Sequence, residues 1–308
     1  MLSSMSSTAT GTIKSCLDVL RRTDPRDAEM HLGSLAALIS DDDLADELYQ
    51  RVDVPLKVGE DPQADGRKFV LCEHNRDGDS HRSPWSNSYL PPLDDGFRPS
   101  ERLRSLEMQA NEVFDVYREL YYGKGTSVGS VYLWDKDGGE GKRRGESSGF
   151  AGCFLIRNKV DEGNYWNSIH VVDVGRARKG RCTYNLTTTL LISITPPGRR
   201  EGTDSTNVSG SLVRSNAREC EFPPSPIMSC GDDDDSGHII NIGRFIEEVE
   251  SEMRSEVDSL YIQKTKTVVE EMRNDSSGGP TQGQEHTRVL NEAVLAMALE
   301  RKARHGGR

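Results

Sequence analysis

Residues 238–273 read HIINIGRFIEEVESEMRSEVDSLYIQKTKTVVEEMR and contain no proline. Apolar side chains recur there at alternating steps of three and four, with one gap: Ile239, Ile242, Ile246, Val249, Met253, Val257, Leu260 and Val268. This spacing predicts one long helix. At 1.5 Å per residue the helix would be about 50 Å long, so a long, flat surface has to cover its apolar stripe along the whole length.

The residues before this helix supply strands for such a surface. Alternation or apolar runs predict five consecutive strands over 128–135, 149–157, 166–174, 181–195 and 207–214. The clearest alternation lies in 181–195, where Cys182, Tyr184 and Leu186 share one face. Links without helical character favour an antiparallel meander. We therefore predict an α+β fold in which the long helix over 238–273 covers a sheet within residues 128–237.

The first half of the chain is expected to hold helices and a polar loop. Residues 1–12 are predicted to be disordered, and residues 13–56 to form three short helices. Residues 57–127 are interpreted as a linking region with a strand at 69–73, a polar loop at 75–95 and a helix at 98–122. The apolar face of that last helix is predicted from its spacing: Leu103, Leu106, Ala110, Val113 and Tyr117.

The carboxyl-terminal residues 274–308 are interpreted as a flexible linker followed by an amphipathic helix. Leu290, Val294 and Met297 share one stripe, and Leu295 and Leu299 lie beside it. One interpretation folds this helix back on the body of the protein. The other leaves it exposed, and an exposed apolar face marks a binding site. The basic group Arg301, Lys302 and Arg304 suits an acidic partner as well as the helix dipole.

Composition narrows the class of protein. The chain has 308 residues, 34% of them hydrophobic and 29% charged, which favours an elongated or partner-covered molecule. A net charge of −11 argues against general nucleic-acid binding. No signal-peptide core and no run of about 18 apolar residues is visible, so we expect a cytoplasmic protein that does not span a membrane. Six scattered cysteines are expected to be free thiols.

Chemical motifs are few. Asn75, Asp77 and Asp79 alternate as in a calcium-binding EF-hand loop, but Ser80 and Ser86 stand where that loop needs glycine and glutamate. A hydrogen-bonded structural turn is the favoured interpretation. The histidines lack metal-ligand spacing, and no nucleophile elbow, carboxylate pair or dinucleotide fingerprint occurs. We predict no catalytic, cofactor or metal site, and no enzymatic activity.

Eight stretches together carry a family resemblance. They are NRDGDSHRSPWSNSYLPP (75–92), SVYLWD with GFAG (130–135, 149–152), WNSIHVV (166–172), GSLVR (210–214), NIGR (241–244), KTK (264–266) and LAMALERK (295–302). In this order, over roughly residues 13–304, the chain resembles the beta-subunit family of the heterodimeric F-actin capping protein, CapZ.

The resemblance implies an architecture and a function. In the family, three amino-terminal helices form a stalk, five strands from each subunit join into one ten-stranded sheet, and a long helix from each subunit crosses it. The partners it implies are an alpha subunit, the barbed end of the actin filament and, for regulation, interacting proteins and acidic phosphoinositides. A related alternative is a scaffold subunit that caps an actin-like filament in a dynactin-type complex.

The resemblance also carries over individual residues. The carboxyl-terminal helix would act as a mobile tentacle on terminal actin, with Leu295 and Leu299 matching the family leucines of its apolar face. The preceding family leucine falls at Asn291, one residue from Leu290. Arg254 matches an arginine linked to phosphoinositides and regulators, whereas a neighbouring family lysine is replaced by Glu252. Segments 138–148, 196–204 and 222–235 are insertions relative to the family.

Overall fold

The computed structural model describes residues 2–39, 41, 43–45, 48, 52, 54–123, 125–136, 149–160, 164–176, 181–194, 208–221 and 236–276. The three insertions and the predicted tail helix lie outside these residues. The chain forms two compact units, Met1–Met253 and Arg254–Arg308. Among the described helices, none combines the length and apolar character needed to cross a bilayer.

The amino-terminal part is helical. Helix α1 spans Leu2–Leu20, a 3₁₀ turn spans Pro25–Asp27, and α2 spans Ala28–Ala36. The helix therefore starts at Leu2 rather than after the disordered segment 1–12 expected from the sequence, because no proline stops a helix nucleated further along from extending backwards. Of the third predicted helix, residues 43–45 and 48 are described and helical. One apolar cluster joins these pieces: Ile13, Leu17, Leu20, Leu32 and Leu48.

The linking region contains more strand than was predicted. Strands β1 (Lys57–Asp61) and β2 (Arg67–Leu71) form an antiparallel pair. The polar loop predicted at 75–95 contains a small three-stranded sheet made of β3 (Arg76–Asp77), β4 (Ser80–Arg82) and β5 (Tyr89–Leu90). Short strands of polar residues lack the apolar alternation on which a sequence-based prediction depends.

Helix α3 spans Glu101–Tyr122, with the Ser100 side chain accepting from the Leu103 backbone N–H at its start. Val113, predicted on the buried face, is 55% exposed. The face is rotated because three polar residues occupy buried positions. The buried residues of α3 are Leu103, Leu106, Glu107, Ala110, Asn111, Phe114 and Arg118.

The predicted five-stranded antiparallel meander and the α+β class are confirmed. Its strands are β6 (Ser127–Asp135), β7 (Phe150–Lys159), β8 (Tyr165–Arg176), β9 (Arg181–Ile194) and β10 (Val208–Glu221). The order β10-β9-β8-β7-β6 follows the chain, so β6 and β10 are the two edges. Strand β10 extends seven residues beyond the predicted end at 214.

The long helix is interrupted. Helix α4 spans Ser236–Val257, a π-helical segment spans Asp258–Gln263, and α5 spans Lys264–Ser276. The π segment overlaps the start of the gap that the apolar pattern shows between Leu260 and Val268, and its i→i+5 bonding shifts the helical phase. Ile242, Ile246 and Met253 are 2% exposed or less, whereas Val268 is 52% exposed. The expectation that the stripe is covered along its whole length is therefore wrong for this chain alone.

Within the first unit the sheet separates two layers. On one face, Leu56 and Val70 pack against Tyr132, Leu155 and neighbouring apolar residues, so the β1–β2 pair covers that part of the sheet. On the other face, α3 meets β7 through the edge-to-face rings of Phe114 and Phe154, and α4 covers β8 to β10. The sheet is therefore a platform with helices α3 and α4 on one side.

Candidate functional site

The outer edge of β6 is closed by side chains of α3. Asn111 Nδ2 donates to the Val131 carbonyl over 2.9 Å, and Asn111 Oδ1 accepts from the Val131 N–H over 2.8 Å. The Leu133 N–H donates to Glu107 Oε2 over 2.8 Å. Arg118 Nη1 donates to the Ser127 carbonyl over 3.2 Å. These side chains supply hydrogen bonds that a neighbouring strand would otherwise supply, so this edge is unavailable for strand pairing.

Glu107 is held in place by two arginines. Arg82 Nη2 and Arg104 Nη1 lie 2.7 and 2.5 Å from its carboxylate oxygens. The Arg82 and Glu107 side chains are only 3% and 0% exposed. Burial acts to lower the pKa of Arg82, but its hydrogen bond and charge interaction with Glu107 prevail and raise that pKa. The polar loop after β2 is thereby fixed to α3 and, through Glu107, to the sheet edge.

The opposite edge, β10, is open. Its pairing in the described residues is with β9 alone. The Ser211 N–H donates to the Arg21 carbonyl over 3.1 Å, and a side chain at Gly210 would place its Cβ 2.9 Å from that oxygen. Since N–H and C=O groups of alternate residues face the same edge, those of Val213, Ser215 and Ala217 also point away from β9. Strand β10 can therefore accept a further strand beyond Ser211.

A buried carboxylate fixes α4 across the sheet. Glu250, 0% exposed, accepts hydrogen bonds from Tyr117 OH over 2.7 Å and Ser168 Oγ over 3.1 Å, and Tyr122 OH also contacts it. His170 Nε2 lies 3.3 Å from Glu250 Oε2, within ion-pair distance but outside hydrogen-bond geometry. One residue of α4 thus contacts α3 and β8 together.

Charged side chains join the exposed side of α4 to the open edge strand. Arg214 Nη1 lies 2.8 Å from Glu252 Oε2, and Arg218 Nη2 lies 2.5 Å from Glu248 Oε2. The Arg218 guanidinium also lies 4.6 Å from the centroid of the Phe245 ring. The hydrogen bond that Arg218 donates to Glu248 raises the pKa of Arg218 and lowers the pKa of Glu248. These contacts hold the two arginines of β10 against the helix.

The start of α4 is anchored by a polar contact beneath it. Tyr184 OH lies 2.8 Å from His238 Nδ1, and Asn241 Nδ2 donates to the same hydroxyl over 3.0 Å. Burial is the main cause that raises the pKa of Tyr184 to about 12. The phenol therefore stays neutral and available to the helix at physiological pH.

The predicted actin-binding residues, Leu290, Val294, Leu295, Met297, Leu299, Arg301 and Lys302, all lie outside the described residues. Arg254, the predicted regulator-binding residue, lies in the last turn of α4 and is half-buried. Neither prediction is tested by the structure.

The loop with alternating Asn75, Asp77 and Asp79 is a structural turn. Asn75 is 3% exposed, and its amide nitrogen donates to the carbonyls of Val70 and Arg82 over 3.3 and 2.9 Å. Its amide oxygen accepts from the Cys72 N–H. These hydrogen bonds occupy Asn75 fully, which supports the favoured interpretation of this motif. Among the described residues, no group of three or more His, Cys, Asp or Glu side chains is placed to hold a metal ion.

Sequence reasoning missed the polar residues that close and anchor the sheet. Glu107, Asn111 and Arg118 recur at steps of four and seven, which is a helical stripe of polar side chains next to an apolar face. In the long helix, Glu250 is likewise a polar residue directly beside a residue of the apolar stripe, Val249. A polar residue at the margin of an apolar stripe was the available signal, but most such residues face solvent.

Comparisons with known proteins show the family of this chain. Residues 13–269 match the model of the F-actin capping protein, beta subunit, family. The F-actin-capping protein subunit beta of Drosophila melanogaster is 41% identical over 266 residues, which cover 85% of this chain and 87% of the relative. The proteins of the same name from Aspergillus fumigatus and Dictyostelium discoideum are 38% and 37% identical, over 94% and 84% of this chain and 84% and 88% of each relative. The chain therefore belongs to the F-actin capping protein beta-subunit family.

Proposed function

We propose that this protein is the beta subunit of a heterodimeric actin capping protein, which binds filament barbed ends and blocks subunit exchange there. Its role is that of a non-enzymatic, cytoplasmic component of the actin cytoskeleton. The observation that carries the proposal is membership of the family across residues 13–269, since the relatives are named for F-actin capping. The amino-terminal helices would form the stalk of the assembly.

The open edge of the sheet supports a heterodimer. Side chains of α3 close β6, whereas β10 has outward backbone groups beyond Ser211. A five-stranded sheet of the alpha subunit added at β10 would complete ten strands. On α5, the side chains of Val268 and Met272 are 52% and 64% exposed and offer apolar area that a partner would cover. Covering them would account for the part of the apolar stripe that this chain leaves exposed.

The carboxyl-terminal helix is the proposed contact with terminal actin. Burying four side chains of its apolar face would contribute roughly 6–12 kcal/mol, much of it offset by ordering the tail. The isolated tail should therefore bind weakly. Tight capping would need a second attachment through the alpha subunit, which raises the effective concentration of the tail at the filament end.

The deciding experiment follows elongation of pyrene-labelled actin from filament seeds with the co-expressed heterodimer. The intact complex should stop barbed-end growth, and a complex that lacks residues 289–308 should cap markedly less well. Leu295→Ala with Leu299→Ala should weaken capping, whereas Ala296→Ser, on the opposite side of the predicted helix, should not. Unchanged capping by the truncated complex would refute the role of the tail.

The scaffold alternative predicts a different result. A subunit of a dynactin-type assembly would co-purify with one large defined complex and leave free filament ends growing. Capping of free ends by the purified heterodimer excludes this alternative as the main role.

We propose Arg254 as the residue through which regulators act on capping. Acidic phosphoinositides and interacting proteins would contact this residue, and the carboxylate at Glu252 would weaken the attraction of the region for anions. Arg254→Ala should therefore reduce inhibition of capping by phosphoinositide vesicles while capping itself persists. Equal inhibition of both proteins would remove Arg254 from this role.

A further inference from the structure

A cleft of about 640 Å³ lies at the closed edge of the sheet, at the opposite end from β10. The start of β6, the end of β7, the β1–β2 pair and the second half of α3 surround it. It lies at the opposite edge of the sheet from the proposed subunit contact at β10, so its occupancy does not depend on that contact.

The cleft is strongly basic within an acidic chain. Among the described residues that line it, five are cationic, Arg67, Lys68, Arg118, Arg157 and Lys159, and one is a carboxylate, Asp115. The whole chain has a formal net charge of −11. Cations collected in a concave surface raise the local concentration of anions, since the low-dielectric walls focus the field.

The five cationic side chains differ in the ion pairs and hydrogen bonds that they already form within the protein. Arg118 Nη2 lies 2.8 Å from Asp115, and Arg118 Nη1 donates to the Ser127 carbonyl. Arg67 lies 3.9 Å from Asp115, which is a long ion pair between side chains 52% and 35% exposed. Such exposed pairs contribute about 0–1 kcal/mol, so an incoming anion can displace them.

Arg157 and Lys159 are the strongest candidates for ligand contact. Neither forms an ion pair with any described residue of the chain. They are two residues apart on β7, so their side chains leave the same face of the sheet. The Lys159 N–H donates to the Thr126 carbonyl over 3.1 Å, which fixes this end of the strand beside the turn that begins β6.

The opposite wall is preorganised by an aromatic ring. The Arg67 guanidinium stacks 3.7 Å from the centroid of the Trp85 ring, and the indole N–H donates to the Lys68 carbonyl over 3.0 Å. The ring is thus fixed to the strand that carries both cations. A stacked guanidinium keeps its N–H donors in one plane, which suits two-pronged binding of phosphate oxygens.

We propose that this cleft binds a small ligand with clustered phosphate groups. Arg157 and Lys159 contact it from β7, and Arg67 from β2. Several phosphates on one ligand match several fixed cations, whereas a monovalent anion would gain too little to displace the water around them. Both a soluble polyphosphate and a phosphorylated lipid headgroup offer this chemistry.

The test uses the heterodimer of full-length chains and inorganic tripolyphosphate as the probe, measured by calorimetry at low ionic strength. Arg157→Gln with Lys159→Gln should weaken binding at least about tenfold, since two charge-assisted contacts are lost. The matched control, Lys14→Gln with Arg22→Gln, removes the same charge from α1 outside the cleft and should bind as the unmodified complex does. Arg157→Lys with Lys159→Arg should retain most of the affinity.

A second arm separates the two sources of phosphate. Phosphatidylcholine vesicles with and without phosphatidylinositol bisphosphate are sedimented with the same four complexes. Tripolyphosphate binding that the Gln pair abolishes supports a soluble ligand. Vesicle binding alone, weakened in the Gln pair and unchanged in the control, supports a lipid headgroup at the cleft, since Arg254 is intact in all four complexes. Binding that is absent in both arms, or that the Gln pair and the control change equally, overturns the proposal.

Discussion

At the scale of single residues, the protein contains ion pairs that differ mainly in burial. Arg82 and Glu107 are almost fully buried, whereas Arg22 and Asp18, 3.1 Å apart, have side chains 78% and 59% exposed. Water screens the exposed pair but not the buried one. The same type of contact therefore contributes very differently to stability, depending on its place in the fold.

Glu107→Gln is expected to lower the free energy of unfolding by about 3–5 kcal/mol, because it leaves the Arg82 charge buried without its counter-charge. Asp18→Asn is the matched control and should change it by less than about 1 kcal/mol. Urea unfolding of the co-expressed complex followed by circular dichroism measures both. Equal effects would show that Glu107 adds nothing through its buried position.

Asp61 makes stability depend on pH. Burial acts to raise the pKa of its carboxyl, but hydrogen bonds from Ser83, Ser86 and the Gln63 N–H prevail and lower that pKa. The folded state therefore holds the ionised form more firmly than the unfolded chain, whose carboxyl pKa is about 3.9. This contribution is complete above pH 3.9 or so and is lost as pH falls through the lower folded-state pKa.

Replacement of Asp61 by Asn should consequently destabilise the complex near neutral pH, and the difference from the unmodified protein should shrink below about pH 4. Thermal unfolding across a pH series measures the difference. Glu60→Gln, at an exposed position next to it, is the control. A difference that stays constant down to the acid limit would contradict the assigned pKa shift.

At the scale of elements, α3 substitutes for a strand along β6. Asn111→Leu would leave the buried N–H and C=O of Val131 without partners, at about 1–3 kcal/mol for each group. Hydrogen exchange at Val131 should accelerate and the complex should lose stability. Glu112→Gln, one residue further along on the exposed side, should change neither. Unaltered exchange at Val131 in the Leu variant would mean that the Asn111 hydrogen bonds do not protect this edge.

Elements with apolar periodicity could be predicted from the sequence, and elements held by polar contacts could not. The alternation around Tyr184 and Leu186 led directly to β9, and the stripe through Ile242 and Met253 led to α4. The sequence pattern had no signal for the rotation of α3, since Glu107 and Asn111 are buried only by contacts far along the chain. The π segment overlaps the start of the gap in the apolar spacing after Leu260, but a gap alone does not specify the type of helical turn.

At the scale of the whole molecule, the open edge makes assembly with the alpha subunit testable. Ala217→Pro removes an outward N–H of β10 while the hydrogen bonds to β9 come from the alternate residues. The yield of heterodimer on co-expression should fall several-fold, because a proline at a pairing position removes a ladder bond. Ala217→Thr keeps the N–H and suits a strand, so it should assemble normally. Equal yields measured by size-exclusion chromatography would place the subunit contact elsewhere.

The candidate site could be predicted only in part from the sequence, because residues that meet from distant parts of the chain leave no shared pattern in it. The predictions for Arg254 and the tail helix come from family motifs, involve no geometry and stay predictions. The basic cleft unites Arg67, Trp85 and Arg157, which lie far apart in the chain and share no motif. Only the pairing of β6 with β7, and the position of β1 and β2 over the sheet, bring them together.

Because the β6 edge of the sheet is closed and the β10 edge is open, the number of chains that can join this one through strands is limited. Open-ended growth requires every unit to present two complementary docking sites, one for the chain before it and one for the chain after it. In this chain, Asn111 and neighbouring side chains of α3 already hydrogen-bond the β6 edge. A partner strand at β10 therefore takes the remaining edge. This chain can consequently stand only at the end of an assembly built through strands, and a fibre cannot propagate through it.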